Sequence, residues 1–314
     1  MKNTALGGSG VDVSEICLGA MYFGTKTGKQ TSCRILDAYA EAGGTFLDTA
    51  NIYARWIPGF SGGESETLLG EWMRARWNRS RLFIATKAGF EYPGVERGLR
   101  SGQIRAECEK SLKRLDTDVI DLFYAHVDDR ATPLEESLQA MHSLVKEGKV
   151  RFIGASNFRA WRLGQAAGVA RNLGIADYCC IQQRFTYVQP NPLADFGPQI
   201  AANDDLFDYC RVHRIAVLAY SPLLSGAYAR RDAELPAQYV SSVNNQRLEA
   251  LRTVAEMLGK TRSQIVLAWM LARNPRVIPV IGASSVGQLT ENLGAADIRL
   301  DESVMSILDG NGRA

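Results

Sequence analysis

The sequence predicts an α/β protein, a closed (β/α)8 TIM barrel capped by an N-terminal β-hairpin, formed by one domain over residues 1–314. Two observations favour this fold. Eight short runs rich in apolar and β-branched residues alternate with segments of helical periodicity, which is typical of parallel βαβ units. A length of 314 residues suits one barrel with added elements or two modest domains, and no linker, low-complexity stretch or repeat divides the chain.

The predicted elements follow one another regularly along the chain. Residues 2–6 and 11–16 flank Gly7-Gly8-Ser9-Gly10, which is a hairpin signal ahead of the barrel. The strand-like runs are 15–18, 45–48, 82–87, 119–126, 150–156, 178–182, 215–220 and 277–281. The segments with apolar residues at helical spacing are 31–42, 64–76, 101–115, 133–146, 160–173, 204–211, 246–258, 263–272, 286–297 and 301–308.

The competing fold is a doubly wound open sheet, and its usual phosphate motifs are absent from the sequence. Gly8-Ser9-Gly10 is followed three positions later by Val13, where G-x-G-x-x-G requires glycine. Gly259-Lys260-Thr261 ends like a Walker A loop, but Val254 stands where the first glycine belongs. The barrel is therefore the simpler prediction.

Composition excludes several classes of function. The 36 Lys+Arg against 34 Asp+Glu leave a formal charge of +2, which offers no broad basic field to nucleic acid or to an anionic membrane. The N-terminus lacks the apolar segment of a secretory signal, and no apolar run approaches the ~20 residues that span a bilayer. The six cysteines are scattered far from the three histidines, so we expect reduced thiols, no metal site and a cytoplasmic location.

Four polar residues stand at or just after the ends of successive predicted strands. Asp48 ends the second strand, Lys87 the third and His126 the fourth, while Tyr53 lies in the loop five residues after Asp48. Each residue alone is more often a cap, a packing residue or a solvated group. Because the carboxyl ends of barrel strands meet at one mouth, their joint occurrence predicts a catalytic site.

These four residue types suit proton transfer to a carbonyl oxygen that receives a hydride. A tyrosine has an ordinary pKa near 10, and we expect the Lys87 ammonium to lower that of Tyr53. Asp48 would hold Lys87 in place, and His126 would donate to a substrate oxygen. Acyl transfer is disfavoured because the sequence shows no nucleophile paired with a base.

Several motifs in this chain resemble the signatures of the aldo-keto reductase superfamily, in the family's order and over nearly the whole length. They are Phe46-Leu47-Asp48-Thr49-Ala50-x-x-Tyr53 with Gly63-x-x-Glu66-x-x-Leu69-Gly70, then Ile84-Ala85-Thr86-Lys87, then Ser111-Leu112-x-x-Leu115-x-x-Asp118-x-x-Asp121-Leu122-x-x-x-His126, then Gly148-Lys149-Val150-Arg151-x-Ile153-Gly154-x-Ser156-Asn157-Phe158. Tyr220-Ser221-Pro222-Leu223 and Ile281-Gly282-Ala283-Ser284 most resemble the potassium-channel β subunits and the aflatoxin aldehyde reductases.

The resemblance implies a nicotinamide-dependent carbonyl reductase. Tyr53 would be the general acid, Lys87 would modulate its pKa, Asp48 would partner Lys87, and His126 would orient the substrate. Ser156, Asn157 and Gln182 would bind the nicotinamide carboxamide, and Tyr220 would stack on its ring. The remaining residues that the resemblance implies for the cofactor are Gly19, Ala20, Met21, Asp48, Ser221, Leu223, Ser225, Gly226, Ile281, Gly282, Ala283, Ser284, Gln288, Glu291 and Asn292.

The cofactor is expected to be NADPH, with NADH as the alternative. Many family members place a lysine near Gly282 and an arginine at Gln288 to bind the 2′-phosphate, and this chain carries neither. Ser284, Ser285 and Gln288 can still hydrogen-bond a phosphate, and the related branches with serine and glutamine there use NADPH. No acidic residue near Ser284 would repel the phosphate.

The substrate is expected to be a small aldehyde or ketone. The predicted pocket wall is largely aromatic and comprises Tyr22, Phe23, Arg55, Trp56 and Phe90. Two alternatives stay open beside reduction. One is a redox-sensing regulatory subunit that binds nucleotide, and the other is an alcohol or sugar dehydrogenase working in the oxidative direction.

Overall fold

Eight parallel strands close into a barrel in the computed structural model, which describes residues 1–229 and 234–310. The order around the barrel follows the chain, and the last strand pairs with the first. The strands are β3 (Cys17–Gly19), β4 (Phe46–Asp48), β5 (Phe83–Ala88), β6 (Ile120–Ala125), β7 (Val150–Ser156), β8 (Cys180–Arg184), β9 (Ala216–Tyr220) and β10 (Val277–Ile281). The predicted (β/α)8 barrel is confirmed, and every strand lies within two residues of its predicted position at each end.

The predicted N-terminal hairpin is also confirmed. β1 (Asn3–Ala5) and β2 (Asp12–Ser14) pair antiparallel. Leu6 and Val13 are fully buried and belong to the same hydrophobic cluster as Phe46 and Phe83 inside the barrel. The hairpin therefore closes the end of the barrel at which the strands begin.

Helices cover the outside of the barrel. They are α1 (Lys29–Glu41), α2 (Glu64–Arg76), α3 (Ser101–Leu115), α4 (Leu134–Lys146), α5 (Ala160–Leu173), α6 (Asp204–His213), α7 (Ser242–Leu258), α8 (Arg262–Ala272), α9 (Val286–Leu293) and α10 (Glu302–Asp309). α7 begins four residues before its predicted start, because the Ser241 hydroxyl caps it by accepting from the Asn244 amide. The predicted helix over 286–297 ends at Leu293 and continues as a 3₁₀ turn.

The strands alternate in the direction of their side chains, as the pleat of a strand requires. Inward side chains near the strand starts are apolar and form one cluster, which includes Phe46, Phe83, Leu122 and Leu218. The larger cluster contains outward residues of the strands and the apolar faces of the helices. A closed, packed barrel of this kind holds the residues at its carboxyl mouth on a rigid base.

Gly7 marks the closest approach of the hairpin to the barrel. Its φ is 59°, and a Cβ atom built there would lie 2.5 Å from the Arg214 carbonyl oxygen. The next residue, Gly8, donates its amide to that same oxygen at 2.7 Å. Only glycine fits, since any side chain would push the hairpin away from the start of β9.

Two further expectations concern cysteines and membranes. All six cysteines are free thiols. In the described part of the chain, no helix combines the length and the apolar character needed to cross a membrane.

Candidate active site

Asp48, Lys87 and Tyr53 meet at the carboxyl mouth of the barrel. The Lys87 ammonium donates to Asp48 Oδ1 at 2.5 Å, to the Thr49 carbonyl at 2.9 Å and to the Tyr53 hydroxyl at 2.6 Å. The Tyr53 hydroxyl lies 3.4 Å from Asp48 Oδ1 and donates towards it. All three Lys87 protons therefore have acceptors, which fixes the ammonium under the phenol oxygen.

These groups are shielded from water. The side chains of Lys87 and Asp48 are 0% and 1% exposed. Burial lowers the pKa of Lys87, although the Asp48 carboxylate opposes this shift. A buried ion pair of this kind is held by its hydrogen bonds, because removing either partner would leave an unpaired charge in a dry site.

The expected lowering of the Tyr53 pKa is wrong for the protein as folded. Burial and the adjacent Asp48 carboxylate raise the pKa of Tyr53 well above its usual value. Both causes disfavour the phenolate, and together they outweigh the nearby ammonium. Tyr53 is therefore a neutral phenol that accepts a hydrogen bond from Lys87 and keeps its own proton.

His126 completes the predicted quartet immediately after β6. Its ring centroid lies 6.1 Å from that of Tyr53 and 4.8 Å from that of Phe90, both in edge-on contacts. Burial and the Lys87 charge lower the pKa of His126 well below 6.5. The imidazole is therefore neutral at pH 7, so it carries one N–H donor and one acceptor nitrogen.

Gln182 reaches the same cluster from the far side of the barrel. Its side-chain amide donates to Asp48 Oδ2 at 2.8 Å, and the glutamine is 2% exposed. Asp48 thus uses one oxygen for Lys87 and the other for Gln182. The resemblance implied a cofactor role for Gln182, but sequence reasoning missed this contact across the barrel.

Ser156, Asn157 and Tyr220 lie together at the mouth: Ser156 ends β7, Asn157 follows it, and Tyr220 ends β9. Asn157 has a left-handed backbone with φ 58° and donates to the Ser156 hydroxyl at 3.1 Å. Its oxygen accepts from the Tyr220 hydroxyl at 2.7 Å and from the Ile200 amide at 3.2 Å. A residue held in a sparsely populated backbone conformation at a strand end is typical of a functional site.

Glu66, part of the first signature, supports the site from behind. It is fully buried on α2 and accepts from the Thr86 hydroxyl at 2.5 Å and from Arg114 at 2.6 Å. Thr86 precedes Lys87 on β5, and its side chain points to the opposite face of the strand. Glu66 therefore anchors the strand that carries Lys87.

The two segments expected to hold phosphates leave neighbouring strands. Positive φ angles at Ser221, Leu224, Ser225 and Gly226 curl the chain tightly after β9. After β10, a Cβ atom built at Gly282 would meet no other atom within 4 Å. Because β9 and β10 pair, both segments lie along one side of the mouth.

The segment after β10 offers neutral hydrogen-bond donors. Gln288 Oε1 accepts from the Ser284 amide at 2.8 Å and from its hydroxyl at 3.1 Å, which leaves the Gln288 NH₂ group available. Asn292 is 2% exposed, and its Nδ2 has no partner. A buried donor without a partner is costly, so this one is suited to a ligand acceptor.

At the β3 end, three predicted residues lie beside Asp48. Gly19 pairs with Asp48 in the barrel, and the Ala20 amide donates to the Asp48 carbonyl at 2.8 Å. Met21 follows and is half-buried, as are Leu223, Ala283 and Glu291 in the other two segments. Ile281 is fully buried at the end of β10, so its backbone rather than its side chain borders the mouth.

The predicted aromatic wall is present in part. Trp56 is 46% exposed and lies 6.3 Å from the Tyr53 ring, while Phe90 contacts His126. Arg55 pairs with Glu91 at 3.0 Å and so connects the loops that carry these two aromatic residues. Tyr22 is half-buried, with the Lys26 ammonium 4.9 Å from its ring centroid.

Phe23 is a correction to the predicted wall. It is 1% exposed and belongs to the hydrophobic cluster that contains Leu36 of α1 and Leu68 of α2. The turn after β3, in which the Phe23 amide donates to the Ala20 carbonyl, directs this ring outward from the mouth. Phe23 therefore packs helices against the barrel and offers no surface to a substrate.

Comparison with known proteins decides the family. The model of the Aldo/keto reductase family matches residues 15–312. The chain belongs to that family. It is 34% identical to norsolorinic acid reductase stcV of Emericella nidulans, over 96% of this chain and 79% of that protein. It is 30% identical to aryl-alcohol dehydrogenase [NADP(+)] of Phanerodontia chrysosporium, over 96% of this chain and 83% of that protein.

A solved aldo/keto reductase shares the fold of the whole chain. This structure, of a thermostable enzyme in complex with the inhibitor epalrestat, has a TM-score of 0.78 and 29% identity. The match covers 99% of this chain and 100% of that chain. As an aldo/keto reductase, the protein is a nicotinamide-dependent oxidoreductase that acts on small carbonyl compounds.

Proposed function

We propose that this aldo/keto reductase uses NADPH to reduce an aldehyde or ketone to an alcohol, with Tyr53 as the general acid. The observation that carries the proposal is the buried Asp48–Lys87–Tyr53 chain of hydrogen bonds, in which Lys87 lies 2.6 Å from the phenol oxygen. A phenol held in this way can give up a proton as negative charge develops on a neighbouring oxygen.

The residues present suit a nicotinamide cofactor. The bound dinucleotide would supply the hydride. Ser156, Asn157 and Gln182 would hold the carboxamide, and Tyr220 would lie against the ring. Because Gln182 donates its amide N–H to Asp48, its oxygen is left to accept from the carboxamide.

The adenosine end would bind along the segments that follow β9 and β10. The curled backbone of 221–226 would approach the pyrophosphate, and Gln288 with Ser284 would bind the 2′-phosphate through neutral donors. The Asn292 Nδ2 donor has no partner among the residues that the structure describes, which favours the binding of a ligand atom that accepts a hydrogen bond there. The name of the Phanerodontia relative includes NADP(+), which also favours NADPH over NADH.

The proton moves within this chain's own residues. Tyr53 would release its proton to the carbonyl oxygen while the Lys87 ammonium, 2.6 Å from the phenol oxygen, stabilises the phenolate that forms. Asp48 would serve to hold that ammonium in place. Neutral His126 would donate an N–H to the same carbonyl oxygen and orient it. The reaction is reversible, so the same groups would also serve alcohol oxidation.

The substrate would be an aromatic or otherwise apolar carbonyl compound. Trp56 and Phe90 flank the Tyr53 and His126 rings and offer faces on which a planar ring can stack. The name of one relative, aryl-alcohol dehydrogenase, agrees with an aromatic substrate.

The direct test is a panel of aldehydes, ketones and alcohols assayed with NADPH and NADH in parallel. We expect turnover of aryl carbonyls with NADPH above that with NADH. An absence of turnover with every carbonyl and both cofactors would refute the proposed activity.

Replacing Tyr53 by phenylalanine tests the assignment of the acid. The variant should lose a factor of about 10²–10⁴ in kcat, because the proton donor is gone. Cofactor binding, followed by fluorescence titration, should be unchanged. Tyr92→Phe is the matched control, since the Tyr92 hydroxyl donates to Glu107 at 2.7 Å and should leave kcat near that of the wild type.

A further inference from the structure

Arg184 is a cation at the carboxyl mouth that sequence reasoning did not single out. It ends β8, two residues after Gln182, so the two side chains point to the same face of the strand. In the barrel Arg184 pairs with Tyr220 of β9. Its guanidinium carbon lies 5.8 Å from the centroid of the Tyr220 ring.

The hydrogen-bond partner of this guanidinium is neutral. Two of its nitrogens donate to Gln199 Oε1, at 3.1 and 2.6 Å. It also lies over the Phe196 ring, 4.7 Å from the centroid. Across residues 1–229 and 234–310, no carboxylate forms an ion pair with Arg184, whereas other arginines at this mouth, Arg55 and Arg130, pair with Glu91 and Asp128.

Arg184 adds a positive charge to the residues around the proposed nicotinamide position. The Lys87 ammonium and the Asp48 carboxylate cancel, and His126 is neutral at pH 7. Arg184 therefore leaves this group of residues with one net positive charge. This charge affects Tyr220: burial raises the pKa of the Tyr220 phenol, and the Arg184 charge opposes that rise.

We propose that Arg184 is a specificity-determining residue that makes the site bind the reduced nicotinamide more tightly than the oxidised one. This inference rests on the proposed function, in which Tyr220 and Asn157 contact the nicotinamide. The oxidised ring carries a positive charge and the reduced ring carries none. A fixed cation beside the stacking tyrosine therefore repels only the oxidised form. The low dielectric constant of the site strengthens this repulsion.

Backbone hydrogen bonds hold the strand end that carries Arg184. The Arg184 amide donates to the Ile200 carbonyl at 3.1 Å, and the Ala202 amide donates to the Arg184 carbonyl at 2.9 Å. The Ile200 amide in turn donates to Asn157, so the segment that holds Arg184 also touches the carboxamide residue. Arg184 therefore has a structural role as well, and the test must separate charge from packing.

The experiment measures the dissociation constants of NADPH and NADP⁺ for the purified protein by fluorescence titration and calorimetry. Three variants are compared with the wild type. Arg184→Gln removes the charge, Arg184→Lys keeps it without the planar fork, and Arg130→Gln removes from the same mouth a different cation, one that shares the Asp128 carboxylate with Arg162.

The wild type should bind NADPH more tightly than NADP⁺. In Arg184→Gln that preference should fall about tenfold, mainly through tighter NADP⁺ binding, and raising the salt concentration should reduce the wild-type preference. Arg184→Lys and Arg130→Gln should keep it. Equal weakening of both nucleotides in Arg184→Gln would assign a packing role only and overturn the inference.

The outcomes also distinguish the inference from the proposed function. If the wild type binds neither nucleotide, the proposed function fails. If it binds both with equal affinity and reduces carbonyls, the proposed function holds and the role of Arg184 is wrong. If the Arg184→Gln variant is unstable, the salt dependence of the wild-type preference still tests the charge, and a preference that salt does not change would overturn the inference.

Discussion

The two ends of the barrel are built from the same strands but have opposite chemistry. At the end where strands begin, Leu6 of the hairpin, Phe46 and Phe83 fill the interior, and the two phenylalanine rings meet edge to face at 5.1 Å. At the end where strands finish, the inward residues are Asp48 and Lys87, a buried ion pair. Two positions along β4 separate a fully apolar environment from a charged one.

This difference shows how the fold can support a buried charge. The apolar end gains its stability from burial and close packing. The polar end gains little stability from its charges, because desolvation offsets their attraction. We therefore expect changes at the two ends to separate, with losses of stability at one and losses of activity at the other.

Replacing Lys87 by methionine should have the largest effect. Without the ammonium, nothing stabilises a Tyr53 phenolate, and kcat should fall about 10³-fold, within the usual range for loss of acid–base assistance. The unpaired Asp48 should also lower the free energy of unfolding by about 3–5 kcal/mol. Steady-state kinetics and urea unfolding measure the two effects.

A second substitution separates those effects. Adding Asp48→Asn to Lys87→Met removes the unpaired charge, so stability should recover while kcat stays low. If the double variant regained activity, Lys87 would have no part in the proton transfer.

Phe46→Ala tests the apolar end. Its fully buried ring contacts Phe83, and its removal should cost about 3–5 kcal/mol of stability. The fraction that remains folded should keep its kcat, as measured at a temperature well below the unfolding midpoint. Trp77→Ala is the control, because that ring is 91% exposed and its loss should change stability by about 0.5 kcal/mol or less.

Gly7→Ala and Gly10→Ala compare two glycines of the same hairpin turn. Both have positive φ, so each alanine should cost about 1 kcal/mol in backbone strain. Only at Gly7 would the new Cβ meet backbone atoms, the nearest at 2.5 Å, which should add about 1–3 kcal/mol. Thermal unfolding of the two variants measures the difference, and equal losses would show that the hairpin does not press on the barrel.

The pH dependence of stability tests the environment of His126. Its pKa is lowered in the folded state, so the unfolded chain binds one more proton below an ordinary pKa of about 6.5. The stability due to neutral His126 is complete above that pH and is lost as the pH falls, by about 1.4 kcal/mol per unit. Replacing His126 by glutamine should remove this part of the slope, and an unchanged slope would contradict a buried neutral imidazole.

Much of the fold and part of the site could be predicted from local sequence. Strands buried on both faces appear in the sequence as short continuous apolar runs. Helices appear as apolar residues spaced three and four positions apart, so the order of the elements was predictable. Asp48, Lys87 and His126 were found because strand ends converge in a barrel. Ends of helices were less predictable, since caps such as Ser241 depend on local hydrogen bonds.

The sequence alone determined which residues could meet at the mouth, because a closed parallel barrel brings strand ends together whatever the details of packing. Only the tertiary structure decided their state and direction. It sets the protonated phenol of Tyr53, turns Phe23 into the core, joins Gln182 to Asp48 and places Arg184 beside Tyr220. These outcomes depend on burial and on contacts between distant strands, which no local pattern of residues records.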